Sequence, residues 1–456
     1  MAEDGQIPRL FGTNGVRGIV NSKDMDCQFA LRLGMAIGTF MKGTVMIGTD
    51  ARTSNEMLKS ACSSGLMATG CAVLDCGVVP TPTLQYAVKT GKVAGGVMIT
   101  ASHNPPEFNG IKCVDSDGTE MSRENEEKIE AIYHNQDFAR AEWTSLGRIA
   151  PHTTAVERYL GGILSKVDAI KIRRAGLRIA VDCGNGAASH VTPRLLGRLG
   201  VKFVTLNADP SGAFPGHDSE PTPENTKDLI ELVKTGSFDF GVIHDGDADR
   251  TVFVDETGRY LHGDRSLAIV AHHICKQKGG RLVVTNVASS KCVEDAVKSA
   301  SGSIMFTRVG SPIIARAMME NGGIFGGEEN GGLIFADFQY CRDGAMAVAK
   351  MLDIVATEGK LSELNAAIPA YSQYKTKTAC PDSKKQKVLA ELAASAGGER
   401  VDTTDGVKIY QKDGWVLVRP SGTEQIFRIF AEATTPQRSE ELAESYRKRV
   451  EKLVKG

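Results

Sequence analysis

Thr44-Val45-Met46-Ile47-Gly48-Thr49-Asp50-Ala51-Arg52-Thr53-Ser54 is a short apolar run that breaks into a small-residue polar loop, with a helical pattern behind it. The same succession returns at Leu177-Arg178-Ile179-Ala180-Val181-Asp182-Cys183-Gly184-Asn185-Gly186 and at Arg281-Leu282-Val283-Val284-Thr285-Asn286-Val287-Ala288-Ser289-Ser290. Strands alternating with helices are the signature of α/β layers, so three such starts predict three related α/β domains with mixed sheets. Beyond Ile368 the character changes. Lys/Glu-rich helical segments flank strands predicted at Gly406 to Gln411 and Trp415 to Arg419, which reads as a smaller C-terminal α+β domain. Linkers are expected near Pro151 and around Asp255 to Gly258, giving domains over residues 1–151, 152–255, 256–368 and 369–456. A helix is predicted from Cys27 to Met41, and another to start with Thr222 as cap and Pro223 at its first position.

The 456 residues exceed what one hydrophobic core organises, at roughly 100–200 residues per domain. With 41% hydrophobic and 24% charged residues, and 54 Lys plus Arg against 55 Asp plus Glu, the chain reads as globular and nearly neutral. Nothing in that balance calls for nucleic acid or an anionic membrane as a partner. The acidic start Met1 to Gln6 lacks an apolar signal core and no run reaches membrane-spanning length, so a cytoplasmic protein is expected. Ten cysteines without a CxxC pair point to reduced, partly buried thiols rather than disulfides or a zinc cage.

Chemistry concentrates in five stretches. Thr100-Ala101-Ser102-His103-Asn104-Pro105-Pro106-Glu107-Phe108-Asn109-Gly110-Ile111-Lys112 puts a hydroxyl, an imidazole and an ammonium on one proline-stiffened loop between two apolar strands. Asp245-Gly246-Asp247-Ala248-Asp249-Arg250 follows the apolar run Phe240 to Ile243. Carboxylates at every second residue can bring hard oxygens together for Mg²⁺. A calcium loop is excluded because Arg250 stands where it needs glycine and the flanks read as strands. Gly326-Gly327-Glu328-Glu329-Asn330-Gly331-Gly332 spaces Glu328 and Asn330 to point the same way from an extended loop, which suits neighbouring sugar hydroxyls. Arg419-Pro420-Ser421-Gly422-Thr423-Glu424-Gln425-Ile426-Phe427-Arg428 offers N–H, hydroxyl and guanidinium donors to a phosphate. Leu10 to Gly18 sets three glycines around Arg17.

Taken in this order, T-A-S-H-N-P and D-G-D-x-D-R make the chain resemble the α-D-phosphohexomutases, which comprise phosphoglucomutases, phosphomannomutases and phosphoglucosamine mutases. The resemblance runs from Phe11 to Arg428. It implies three α/β domains and a C-terminal domain around a central cleft, and a Ser102 that is phosphorylated at rest. It further implies one Mg²⁺ per chain on Asp245, Asp247, Asp249 and that phosphoserine. Arg17, His103 and Lys112 would surround the transfer site, with Lys112 the favoured acid/base and His103 the other candidate. Arg250, Glu328 and Asn330 would face the sugar, while Arg419, Ser421, Gly422, Thr423 and Arg428 would hold the phosphate that is not transferred. The reaction implied moves phosphate between the 6- and 1-positions through a hexose 1,6-bisphosphate, which also serves as activator. The partners are therefore small sugar phosphates, and the assembly a monomer or homodimer.

The opening F-G-T-N-G-V-R-G and the cradle S-G-T-E resemble the phosphoglucosamine mutases, so glucosamine 6-phosphate to glucosamine 1-phosphate is the expected reaction. Asn330 and Gly332 depart from the family's usual serine and histidine in the sugar loop, which keeps a phosphomannomutase/phosphoglucomutase as the alternative. A sugar-phosphate phosphatase is the more distant one.

Overall fold

The structure is a computed structural model and describes residues 9–12, 14–421 and 424–455. The chain divides into two compact units, Met1–Ser266 with Asn330–Asn365, and Leu267–Glu329 with Ala366–Gly456.

In the first unit, β1 (Val16–Ile19), β2 (Thr44–Thr49), β3 (Ala72–Val78), β4 (Gly95–Ile99), β5 (Phe108–Val114) and β6 (Ile149–Pro151) form a sheet in the order β1-β5-β4-β2-β3-β6. β2 is parallel to β3 and β4, whereas β4 and β5 are antiparallel. All five residues of β4 are buried, which is why it reads as an unbroken apolar run rather than an alternation. The helix Cys27–Met41 begins where Asp26 accepts a hydrogen bond from the Phe29 N–H at 2.7 Å. It lays Phe29, Leu33 and Ile37 into the same core as Leu58 and Leu66 of the helix Asn55–Ala68. These helices touch backbone to backbone: a Cβ at Gly65 would lie 2.2 Å from the Leu31 carbonyl, so no larger residue fits that crossing.

The second sheet repeats the plan. β7 (Arg178–Asp182), β8 (Lys202–Leu206), β9 (Phe240–His244), β10 (Thr251–Asp255) and β11 (Tyr260–Leu261) stand in the order β11-β10-β9-β7-β8. β7 is parallel to β8 and β9, and β9 to β10 is antiparallel. The loop between β9 and β10 thus occupies the place that the loop between β4 and β5 occupies in the first sheet. The two stretches read as linkers are both built into structure. Pro151 ends β6, which pairs with β3, and Asp255 to Gly258 is a tight turn in which Asp255 accepts from the Thr257 and Arg259 N–H groups. The helix foreseen from Thr222 begins instead at Lys227. Thr222 does accept a hydrogen bond from the Asn225 N–H, but residues 223–226 form a separate turn before the helix.

In the second unit, β12 (Leu282–Asn286) is parallel to β13 (Ser303–Thr307) and β14 (Phe325–Gly327), the third instance of the pattern. Residues 328–332 follow β14 as the other two loops follow β4 and β9. They enter a turn at Glu329 and Asn330 and are not extended, because Asn330 folds back to accept from the Gly332 N–H at 3.1 Å. β15 (Leu333–Phe335) and β16 (Gln339–Arg342) return to the first unit as an antiparallel pair.

β17 (Ser372–Ala379), β18 (Arg400–Asp402), β19 (Val407–Gln411), β20 (Gly414–Pro420) and β21 (Ile426–Ala433) make an antiparallel sheet in the order β17-β21-β20-β19-β18. The helices Asp382–Ala394 and Pro436–Lys455 share its core through Val388, Leu392, Leu442 and Val450. The fold is thus three related α/β domains followed by a smaller α+β domain. None of the ten cysteines is in a disulfide. Among the described residues, no helix is long and apolar enough to cross a membrane.

Candidate active site

Ser102 is fully buried and sits at φ 53°, a left-handed conformation that costs a non-glycine residue on the order of 1–3 kcal/mol. The surroundings over-determine it. The Ser102 N–H donates to Thr100 Oγ1 at 2.8 Å, and that hydroxyl donates to Asp50 Oδ2 at 2.6 Å. Asp50 also holds the Arg52 guanidinium at 3.1 Å. Arg52 in turn donates to four carbonyls of the loop: Pro105 at 2.6 Å, Phe108 at 2.8 Å, Ser102 at 3.0 Å and Asn104 at 2.5 Å. Hydrogen bonds from a charged donor contribute about 1.5–3 kcal/mol each, so the clamp readily offsets the strain.

The aspartate loop meets this serine because Gly246 lets it. A Cβ at Gly246 would lie 2.6 Å from the Ser102 carbonyl oxygen. Ser102 Oγ donates to Asp245 Oδ2 at 3.1 Å and lies 3.3 Å from His103 Nδ1. Asp245, Asp247 and Asp249 are all buried, and ligand oxygens of the three lie within 4.8 Å of one another. Asp247 and Asp249 each have one oxygen tied down. Asp247 Oδ2 accepts from Thr81 Oγ1 at 2.6 Å and Lys112 Nζ at 2.7 Å, and Asp249 Oδ2 accepts from Arg342 at 2.6 Å and Lys112 at 3.4 Å. Asp247 Oδ1 and Asp249 Oδ1 are buried and have no hydrogen-bond partner. Burial, followed by repulsion from Asp249 and Asp247, raises the Asp245 carboxyl well above its ordinary range. Burial pushes Asp247 the same way, but Lys112 overcomes it and leaves that carboxyl below the ordinary value. Orphaned hard oxygens beside mutually repelling carboxylates fit a divalent cation such as Mg²⁺.

Cations complete the site. Arg17 donates to Asn104 Oδ1 at 2.8 Å. The Arg250 N–H donates to Asp245 Oδ1 at 3.1 Å, and its guanidinium lies 3.8 Å from Asp245 Oδ2. Burial first, then Arg250 and Arg17, push the His103 imidazole down to about 2 and hold it neutral. The first unit therefore brings together Ser102, His103, Lys112, Arg17, Asp245, Asp247, Asp249 and Arg250.

Glu328, Arg419, Ser421 and Arg428 belong to the second unit, whereas Asn330 belongs to the first. Glu328 is buried. Arg419 and Arg428 are cross-strand partners on the antiparallel pair β20 and β21. Arg419 donates to Asp405 at 2.6 Å and Arg428 to Glu424 at 3.1 Å. Lys385 donates to the carbonyls of Ser421 at 2.7 Å and Glu424 at 2.8 Å. Gly422 and Thr423 lie outside the described residues.

Comparison with known proteins agrees with the four-domain order of the fold. The phosphoglucomutase/phosphomannomutase family matches in all four of its parts: alpha/beta/alpha domain I at residues 8–140, domain II at 157–258, domain III at 262–371 and the C-terminal domain at 376–449. The chain belongs to this family. It is 46% identical to a phosphoglucomutase/phosphomannomutase of Thermococcus kodakarensis, over 98% of this chain and 100% of the relative. It is 43% identical to a probable phosphoglucosamine mutase of Methanopyrus kandleri, over 96% of this chain and 97% of the relative. A crystal structure of a family protein from Burkholderia thailandensis superposes with a TM-score of 0.87 at 26% identity, covering 97% of each chain. At this level the protein is a phosphohexomutase, an isomerase.

Sequence reasoning passed over Arg52, Thr81 and Arg342. Arg52 was visible as a charged residue in a small-residue loop after a strand. Thr81 and Arg342 carried no local signal, since their partners lie 166 and 93 residues away.

Proposed function

We propose that this phosphohexomutase interconverts glucosamine 6-phosphate and glucosamine 1-phosphate, with Ser102 as its phosphate carrier. The observation that supports it most is the buried Ser102 Oγ hydrogen-bonded at 3.1 Å to an aspartate of the clustered triplet. Asp245, Asp247 and Asp249, with the phosphoserine, would hold Mg²⁺, which when bound neutralises charge on the transferring phosphoryl group. Ser102 gives its phosphate to one end of the sugar phosphate, and the resulting bisphosphate returns phosphate from its other end. Lys112 is the favoured group to exchange a proton with the sugar oxygen, and the neutral His103 is the second candidate. Arg17 and Arg250 supply positive charge beside the transferring group. Arg419, Ser421, Gly422, Thr423 and Arg428 bind the phosphate that stays, and Glu328 and Asn330 read the sugar hydroxyls. A hexose 1,6-bisphosphate then primes the enzyme by phosphorylating Ser102. Burial of Ser102 and the triplet favours transfer to sugar over hydrolysis, because excluding water preserves a phosphoenzyme.

The S-G-T-E cradle and the name of the Methanopyrus relative favour glucosamine. The name of the Thermococcus relative favours a phosphoglucomutase/phosphomannomutase as the second reading. One side-by-side rate comparison with Mg²⁺ and a trace of bisphosphate, on glucosamine, mannose and glucose 1-phosphates, decides between them. The highest kcat/KM on glucosamine 1-phosphate is expected, and a preference for mannose or glucose would install the second reading.

A further inference from the structure

Arg342 closes β16, and its neighbour Asp343 caps the helix Gly344–Glu358 by accepting from the Met346 N–H at 2.9 Å. Asp343 is further fixed by the Tyr159 hydroxyl at 2.5 Å and the Gln339 amide at 2.7 Å. The same segment is stitched to the aspartate loop by main-chain hydrogen bonds, Gly344 N–H to the Ala248 carbonyl at 3.3 Å and Thr251 N–H to the Gly331 carbonyl at 3.1 Å. Arg342 is therefore a buried side chain on a rigid base, aimed at Asp249. Its Nη2 lies 2.6 Å from Asp249 Oδ2 and 3.6 Å from Glu120 Oε1, and Glu120 also receives the Asn14 side-chain amide.

We propose that Arg342, backed by Glu120, is the positioning residue that orients Asp249 for the divalent cation. The division of oxygens carries the argument. Arg342 takes Oδ2, and Oδ1 of the same carboxylate is left buried without a hydrogen-bond partner. A carboxylate held by one oxygen presents the other in a defined direction, and such outer partners of metal ligands typically alter affinity or activity about 10–100-fold when removed. Lys112 makes only a longer contact of 3.4 Å to Oδ2, while its short one, 2.7 Å, goes to Asp247. Fixing Asp249 thus falls mainly to Arg342. Glu120 pairs with the guanidinium at 3.6 Å, and the charge of Arg342 also bears on Asp247 and His103, so a variant that keeps the charge is needed to isolate orientation. Arg342 touches neither sugar nor phosphate in this role, and it acts through Asp249.

The inference rests on the phosphohexomutase reading of the Ser102 centre, and its test separates the two. Mg²⁺ is titrated calorimetrically into the wild type, Arg342→Lys and the double variant Arg342→Met/Glu120→Gln, all matched for Ser102 phosphorylation by intact mass. The double variant removes both charges and leaves the net charge unchanged, and Arg342→Lys keeps the charge and loses the planar fork. Roughly tenfold weaker Mg²⁺ binding is expected in both, with kcat lowered and the sugar-phosphate KM within about twofold of wild type. Isotherms that superimpose on the wild type, or tighten, would overturn the inference and make Arg342 a mere counter-charge. If the double variant does not melt cooperatively, Arg342→Lys decides alone. Failure of the wild type to interconvert sugar phosphates would instead strike the underlying reading.

Discussion

The Ser102 centre of the first unit and the Arg419–Arg428 hairpin of the second, both of which the proposed function assigns to phosphate, are held in opposite ways. At the Ser102 centre, Arg52 grips the loop through four carbonyls, Lys112, Thr81 and Arg342 fasten the aspartates, and the serine, the three aspartates and Lys112 are all buried. At the hairpin, the cations rest on carboxylates at a partly open surface. Arg419 is 19% exposed and paired with Asp405, and Arg428 is 46% exposed and paired with Glu424. Bond making and breaking demand fixed geometry to within a fraction of an ångström. Holding an inert phosphate needs charge that can be handed over from a carboxylate to the ligand and back.

Substitutions that probe this contrast should rank accordingly. Ser102→Ala removes the carrier itself, and a loss of kcat on the order of 10⁴-fold or more is expected in a coupled mutase assay. Arg52→Met leaves every reacting group in place but releases the loop. kcat should fall about 10²-fold with little change in KM, alongside a lower melting temperature. If KM rose while kcat held, the clamp would belong to binding and the contrast would weaken. At the hairpin the pattern should invert. Arg419→Ala should raise the sugar-phosphate KM about 10–100-fold through one lost charge-assisted contact, with kcat near wild type, and the more exposed Arg428→Ala should raise it less.

The smallest effect concerns the brace under the aspartate loop. Asp182 accepts from the Gly184 N–H at 2.9 Å and pairs with His217 at 3.2 Å, and the Ala187 N–H a few residues on donates to the Gly246 carbonyl at 3.0 Å. Burial works against the charge on both partners. The pair nevertheless raises the His217 imidazole above its ordinary value and lowers the Asp182 carboxyl below its own. The histidine's contribution is complete below 6.5 and fades as pH rises through its raised pKa. The aspartate's contribution is present above 3.8 and is lost as pH falls through its lowered pKa. His217→Asn should therefore melt roughly 1–2 °C below wild type between those limits, and the gap should close in alkaline buffer.

These contrasts also explain what could be read from the chain alone. Ser102 and the aspartate triplet stood out in the sequence because their signal is local: a strand, a short loop, and side chains set within a few residues of one another. The three-fold repetition of β2, β7 and β12 was legible for the same reason, since each is a buried apolar run with a fixed sequel. β17 and β21 were not, because Ser372–Ala379 is polar on both faces, with lysines on the exposed one and threonines on the inner one, and Arg428 looked like part of a loop. The hairpin's true form needed the Arg419 to Arg428 pairing, which only long-range register supplies. Thr81 and Arg342 were silent because a lone threonine or arginine acquires a role only when folding delivers it to a carboxylate far along the chain.

The central claim is that phosphate moves between two sugar oxygens by way of Ser102. Phosphorus NMR of the protein with Mg²⁺, a trace of hexose 1,6-bisphosphate and glucosamine 1-phosphate follows that movement directly. The account predicts that the 1-phosphate signal gives way to the 6-phosphate signal at constant inorganic phosphate, and that Ser102→Ala leaves the spectrum unchanged. Inorganic phosphate growing in step with loss of the sugar phosphate, with no 6-phosphate formed, would contradict it.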